Sequence, residues 1–217
     1  MNPTPETAAR LAAAPRKRGR PVGDREARSS ELIAAARAVI ARDGYAGASL
    51  RKVAEQAGVS TGAGSYYFEN KEAMVVAVAE SLFDEFDAWL AAQGDVCDPR
   101  AVCDSLLAWT TLGGGETWLV CLQLMVGARG DATLAAVIAE RDGQFMANLT
   151  RLIAGGQAQG LIRRDFPADV LADQLGAMGD GWALSYPLEP ERFAPDRMRL
   201  LAASAAAMLA PPAGSHL

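Results

Sequence analysis

One histidine, His216, and three cysteines, Cys97, Cys103 and Cys121, are spread through 217 residues. That scarcity excludes a disulfide framework and a metal quartet. No cysteine has a base candidate near it in sequence, and neither a phosphate-cradling loop nor a metal-ligand spacing occurs, so an enzyme in a helical fold is poorly supported and no cofactor is implied. No apolar run reaches the ~18 residues of a membrane span. The small apolar residues near the start precede the basic cluster, the wrong order for a secretion signal. A reducing cytoplasm is the expected compartment. Aromatic residues make up only 6% of the chain. Strand-like alternation persists nowhere and no internal repeat occurs, which points to an all-α fold.

What is abundant is apolar surface and a divided charge. Half the residues are hydrophobic, enough for a sizeable core. The net charge of -5 hides an asymmetry: residues 1–71 hold 12 Lys/Arg against 7 Asp/Glu, and the rest hold 9 against 19. A basic front on an acidic protein is the electrostatic footprint of DNA binding; solvation of an ordinary surface is the plainer alternative. Residues 1–23 are rich in Pro, Ala and Arg, lack periodicity, and read as a disordered basic arm. Within it lies RKRGRP, residues 16–21. Its Arg18 and Arg20 suit a narrow A/T minor groove, as in the AT-hook; a generic tail attracted to phosphate would look the same.

Helical spacing recurs along the remainder. Leu32, Ile33, Ala36, Val39 and Ile40 predict a helix over 30–41, stopped at Asp43-Gly44, with Tyr45 packing back on it. Ser49 caps a second helix with Leu50, Val53, Ala54 and Ala57 inward and Arg51 and Lys52 outward. A longer helix runs from Lys71 to about Ala92, carrying Met74, Val75, Val78, Leu82, Phe86, Trp89 and Leu90. Asp98-Pro99 opens another, broken by Gly113 to Gly115. A further helix carries Trp118, Cys121, Leu122 and Met125. A long one spans about Asp131 to Gln159, with Leu134, Ile138, Phe145, Leu149 and Leu152 in register. Pro167 opens a helix to about Ser185 with Leu171, Leu175, Met178 and Trp182. The last places Met198, Leu201, Ala205 and Met208 at spacings of 3, 4 and 3. Residues 211–217 read as a frayed tail.

The most informative stretch is AGVSTGAGSYYFENK, residues 57–71. Gly58 supplies turn backbone, Val59 an apolar pin, and Ser60 an N-cap for a short helix. That helix presents Thr61, Gly62, Ala63 and Ser65, small enough for close approach to base edges. Tyr66 and Tyr67 carry hydroxyls toward phosphate, with burial beside Phe68 the competing role for Tyr67. Asn70 caps the next helix at Lys71, where phosphate can lie against a helix N-terminus. This is helix-turn-helix grammar.

From Ser30 to Met74 the chain resembles the TetR family of bacterial transcription regulators. The resemblance rests on Gly44-Tyr45, Ser49-Leu50, Val53-Ala54, Ala57-Gly58-Val59-Ser60-Thr61-Gly62, Tyr67-Phe68 and Lys71-Glu72, in that order. Ser65-Tyr66-Tyr67-Phe68, Gly-Leu-Ile-Arg-Arg-Asp at 160–165 and Asp180-Gly181 look like the BetI-like branch. Gly64 and Ser65 depart from the bulky residue and Tyr of many members, which withdraws one familiar phosphate contact. Gly64 also costs a helix about 1 kcal/mol relative to Ala, so the free reading helix is expected to be loose and to tighten on DNA.

The resemblance implies a three-helix DNA-binding domain at 24–71 and a larger helical domain at 72–210, about nine helices in all. It places a base-reading side chain at Arg51, base edges near Thr61, Gly62, Ala63 and Ser65, and phosphate near Ser49, Tyr66, Tyr67 and Lys71. It implies an apolar or amphipathic effector in the second domain, where Trp89, Trp109, Trp118, Met125, Phe145, Met178 and Trp182 are candidate contacts; such side chains otherwise serve as plain core. Asp180, on an otherwise apolar helix, suits either a ligand contact or a dimer seam. The implied function is a ligand-responsive repressor binding a palindromic operator in double-stranded DNA as a homodimer through its last two helices. An activator in the same fold is the alternative. A DNA-organising protein with weak sequence preference is another, though the large acidic second domain argues against it.

Overall fold

The computed structural model describes residues 22–94, 98–111 and 115–212. The basic arm up to residue 21, with Arg18 and Arg20, lies outside them, as do Gly113, Gly114 and the tail from 213. Among the described residues there are nine α-helices, one 3-10 turn and no strand. They are α1 (Val22–Gly47), α2 (Leu50–Gln56), α3 (Thr61–Tyr67), α4 (Lys71–Ala91), α5 (Pro99–Thr110), α6 (Glu116–Ala128), α7 (Ala132–Ala158), α8 (Ala168–Ser185) and α9 (Pro195–Leu209), with the 3-10 turn Pro190–Phe193 before α9. None is long and apolar enough to cross a membrane.

Local chemistry sets most starts. Ser49, Ser60, Asn70, Asp98 and Asp131 each accept a backbone N–H from the first turn of their helix, satisfying donors the helix itself leaves open. Gly44 has φ 74°, a left-handed conformation costly for residues with a Cβ, and it ends the regular part of α1 after Asp43. The N-terminal end differs from expectation. Helix α1 begins at Val22 rather than Ser30. Its first turns hold good helix formers without an apolar stripe, tied by Arg28 to Glu31 at 2.6 Å and by Ser30 Oγ donating to the Glu26 carbonyl. Periodicity cannot see helical turns that carry no apolar stripe.

Two apolar cores divide the molecule. The first joins Leu32, Ala36, Val39 and Ile40 of α1 to Val53, Phe68, Met74, Val78, Val120, Leu124 and Leu134. The second joins Leu90, Leu107, Leu149, Ile153, Leu171, Leu175, Ala202 and Leu209. The division runs through α4, whose N-terminal half belongs to the first core and whose Leu90 belongs to the second. Helix α1 packs on α6, α4 on α7, α7 on α8, and α9 on α5. Helices of seven residues such as α2 and α3 are marginal alone; burying Val53, Ala54 and Phe68 against α1 and α4 holds them.

Candidate nucleic-acid interface and inner cavity

Helix α3 is seated on α2 by its smallest residue. Gly64 is buried, and a Cβ there would stand 3.3 Å from the Ala54 Cβ. Gly64 thus answers to close packing between the two helices as well as to any looseness. The turn between them is closed by Gly58, with φ 66°, and by backbone bonds from Gly58 to Glu55 and from Val59 to Ala54. Val59 is half-buried against the first core, as an apolar pin should be.

The opposite face of α3 is free. Thr61, Gly62, Ala63, Ser65 and Tyr66 are exposed, Tyr66 at 69%. Tyr66 meets Tyr67 edge-on at 5.3 Å and lies under the Arg25 guanidinium at 5.8 Å. Tyr67 is half-buried and packed on the core, where Phe68 is fully enclosed. Arg51 stands out from α2 with its side chain 74% exposed and only a 4.0 Å approach to Glu55. Ser49 caps α2, its hydroxyl oxygen accepting from the Lys52 backbone N–H.

Other cations of this region are committed. Lys52 and Arg42 both grip Asp43, Lys52 at 2.7 Å, and together, Arg42 first, they hold its carboxyl at about 2. Lys71 donates to the Ala46 carbonyl at 3.2 Å and lies 4.6 Å over the Tyr45 ring. Its ammonium is therefore turned toward the end of α1. Tyr45 packs on the first core, to which α1 contributes as expected, and also lies against Gly127 of α6. Its hydroxyl donates to Asp131 at 3.1 Å and its backbone N–H to Gln123 at 3.3 Å. Burial and then the Asp131 carboxylate push the phenol up, so it remains a donor. The base of the helix-turn-helix is thereby joined to α4, α6 and α7.

The second region of interest is a cavity between α4, α6, α7 and α8 with two lobes. The larger, about 310 Å³, is lined by Leu82, Phe83, Leu122, Met125, Ile138 and Leu184 among others. The smaller, about 80 Å³, is lined by Trp89, Leu106, Trp109, Phe145, Met146 and Leu175 among others. Phe86, Trp118, Asp142 and Asp180 line both lobes and so mark their junction. Phe86 stacks on Trp118 at 5.4 Å and meets Trp109 edge-on at 4.8 Å. Trp89 stacks on Trp109 and donates its indole N–H to Ser105. Cys121 also borders the larger lobe, its thiol pushed up to about 12 by burial and therefore protonated.

Of the expected ligand contacts, Trp118 and Met125 line the larger lobe and Trp89, Trp109, Trp118 and Phe145 the smaller. Met178 and Trp182 line neither. They pack, half-buried, on the second core, because residues two positions from Asp180 stand about 200° around the helix from it. Helix α6 buries Val120, Leu124 and Gly127, while Trp118, Cys121, Leu122 and Met125 line the cavity. Asp142 was missed. Its signal is the gap it makes between Ile138 and Phe145 in an otherwise apolar stripe.

Comparison with known proteins places this arrangement. Residues 32–78 match the family model described as bacterial regulatory proteins, tetR family. Residues 99–211 match that of the BetI-type transcriptional repressor, C-terminal. The chain is 29% identical over 185 residues to the HTH-type transcriptional regulator PksA of Bacillus subtilis, covering 81% of this chain and 86% of the relative. It is 28% identical to an HTH-type transcriptional repressor of Mycobacterium tuberculosis, covering 77% and 88%. A crystal structure of a Rhodococcus transcriptional regulator superposes with a TM-score of 0.69 at 25% identity, covering 83% of this chain and 95% of that one.

Proposed function

The chain belongs to the TetR family of bacterial transcription regulators, with a BetI-type C-terminal domain, and from that premise we propose that it is a repressor binding a palindromic operator as a homodimer and released by a small-molecule effector. Its family is one of DNA-binding regulators, not enzymes. The observation that carries the reading is helix α3, capped by Ser60, seated on α2 through Gly64, and otherwise exposed along a face of small polar residues.

In this reading the N-terminus of α3 enters the major groove. Thr61, Gly62, Ala63 and Ser65 lie against base edges, where a Thr methyl or Ala suits a thymine methyl. Arg51, the freest cation of α2, reaches a base edge beside them. Tyr66 and Ser49 approach phosphate. Lys71 and Tyr67 sit at the margin and serve the contact by fixing the end of α1 and the base of α3. Arg18 and Arg20 in the arm add a minor-groove or phosphate contact. The protein acts in the cytoplasm, where its DNA is.

The dimer forms through α8 and α9. Val170, Ala177, Gly181 and Leu184 make an exposed apolar stripe on α8, and Leu200, Ala207 and Met208, with the half-buried Ala203, one on α9. Their small residues permit close helix approach. Two reading helices then stand about one DNA turn apart, ~34–36 Å. An effector that favours another spacing shifts the population off the operator.

Selection of bound sequences from random duplex DNA tests the proposal. The expected product is an inverted repeat with half-site centres one turn apart, bound by two chains. Recovery without sequence enrichment, or a single asymmetric site held by one chain, contradicts it.

A further inference from the structure

Resting on the reading that α3 enters the major groove, we infer that Arg25, held over the ring of Tyr66, binds a DNA phosphate on the strand that flanks α3. The inference starts from the turns that open α1. They begin at Val22 and carry no apolar stripe, so core burial does not account for them. They do carry α1 out beside the far end of α3, where the Arg25 guanidinium lies 5.8 Å from the centre of the Tyr66 ring. The register explains the approach. Arg25 stands about two turns before Leu32, which is 1% exposed in the first core. It therefore shares the inward side of α1. Leu32 is the first α1 residue of that core, so Arg25 lies beyond it and meets Tyr66 instead.

Arg25 is also uncommitted. Arg28, Arg37, Arg42 and Lys52 each hold a carboxylate at 2.5–2.8 Å, and a paired cation must loosen that contact before it can take a phosphate. The Arg25 side chain has no ion pair or hydrogen bond to another described residue, and both it and Tyr66 are exposed. The ring quadrupole attracts the charge. A guanidinium over a ring keeps its N–H edge open, and that edge fits two phosphate oxygens at once. The Tyr66 hydroxyl, at the rim of the same ring, adds a further donor. Position along α3 selects backbone rather than base. Residues at the start of a reading helix approach base edges, so a cation at its other end meets the sugar-phosphate strand bounding the groove. The basic stretch RKRGRP, residues 16–21, joins directly before Val22, so Arg25 on a phosphate also sets where that stretch meets DNA.

Binding of the full-length protein to its selected operator and to a random duplex of equal length, followed by fluorescence anisotropy from about 50 to 200 mM salt, tests the inference. Arg25→Ala should weaken both duplexes alike, by about fivefold or more, and flatten the slope of log affinity against log salt by about 0.9 for each bound chain. Arg25→Lys should keep the slope, because the charge is what releases the counterion, and lose affinity with the bidentate edge. The Tm of Arg25→Ala should stay within about 2 °C of the wild type, as for an exposed substitution. In a Tyr66→Ala background Arg25→Ala should cost less than in the wild type. A wild-type salt slope in Arg25→Ala overturns the inference. So does a loss confined to the operator, which makes Arg25 a reader of bases. Equal costs of Arg25→Ala in both backgrounds overturn the seat on Tyr66. In all three cases the wild type still selects an operator and the repressor reading stands. Should it select none, that reading fails by itself, and the random duplex still measures the Arg25 slope.

Discussion

Replacing Gly127 by Ala should damage the joint between the DNA-binding and cavity-bearing parts more than its one added methyl suggests. A Cβ at Gly127 would stand 2.4 Å from Tyr45 Cδ2, 2.5 Å from Cγ and 2.8 Å from Cε2. Carbon contacts are comfortable at 3.5–4.0 Å, so a rigid ring must move by about 1 Å. The ring is not free to move. Its hydroxyl is bound to Asp131, which also caps α7, and Lys71 lies over its face. In favour of Ala stands a helix-propensity gain of at most about 1 kcal/mol near the helix end. Against it stand about 1–3 kcal/mol of overpacking and about 1–2 kcal/mol for a weakened bond to a carboxylate. The net expectation is a loss of about 2 kcal/mol, or a Tm lowered by about 4–8 °C in a chain of this size. Thermal denaturation followed by circular dichroism reads it. In a Tyr45→Ala background the same Gly127→Ala change should cost nothing or stabilise slightly, because the clash is gone. A Tm that rises for Gly127→Ala alone, or an equal loss in both backgrounds, refutes the reasoning.

Further changes have separate readouts. Arg51→Ala should relax preference at one operator base pair by about 1–3 kcal/mol while binding to random DNA stays nearly unchanged, whereas Lys71→Ala should weaken operator and random DNA alike; fluorescence anisotropy on both DNAs separates the two, and equal behaviour of the variants contradicts the assignment. Ser60→Ala removes the acceptor for the Ala63 N–H and should cost about 1 kcal/mol, seen as faster amide exchange in α3; unchanged exchange counts against the cap. Asp180→Asn should stabilise the ligand-free protein. The folded carboxyl is raised, so its charged form is disfavoured by folding and the penalty is present at neutral pH. Water access keeps the gain under about 1 kcal/mol, and it should fade as pH falls through the carboxyl's raised value; a lower Tm at pH 7 contradicts the claim that folding disfavours its charge.

Legibility in the sequence followed locality. The caps at Ser49, Ser60, Asn70, Asp98 and Asp131 and the turn at Gly58 depend on residues within one turn, and each was readable. The first two turns of α1 were not, because they are helical without being amphipathic. The core face of α6 had no signature, because Val120, Leu124 and Leu119, Leu122, Met125 leave it apolar on every side, so spacing alone does not choose between them. Met178 and Trp182 looked like ligand contacts by type, yet the face carrying Asp180 and Gly176 is the one turned to the cavity. Gly64 read as a weakness of the helix; only the approach of Ala54 across two helices shows what a side chain there would meet. The Asp142–Asp180 pairing belongs to α7 and α8 together and has no signature in either alone.

The central claim is that cavity and operator are linked sites. It is tested most directly by measuring the affinity of a ligand that quenches the cavity tryptophans with and without a saturating selected operator, and operator affinity with and without that ligand at saturation. Each should weaken the other by the same factor, between about 5-fold and 150-fold. Ligand affinity that is identical in free and operator-bound protein would contradict it.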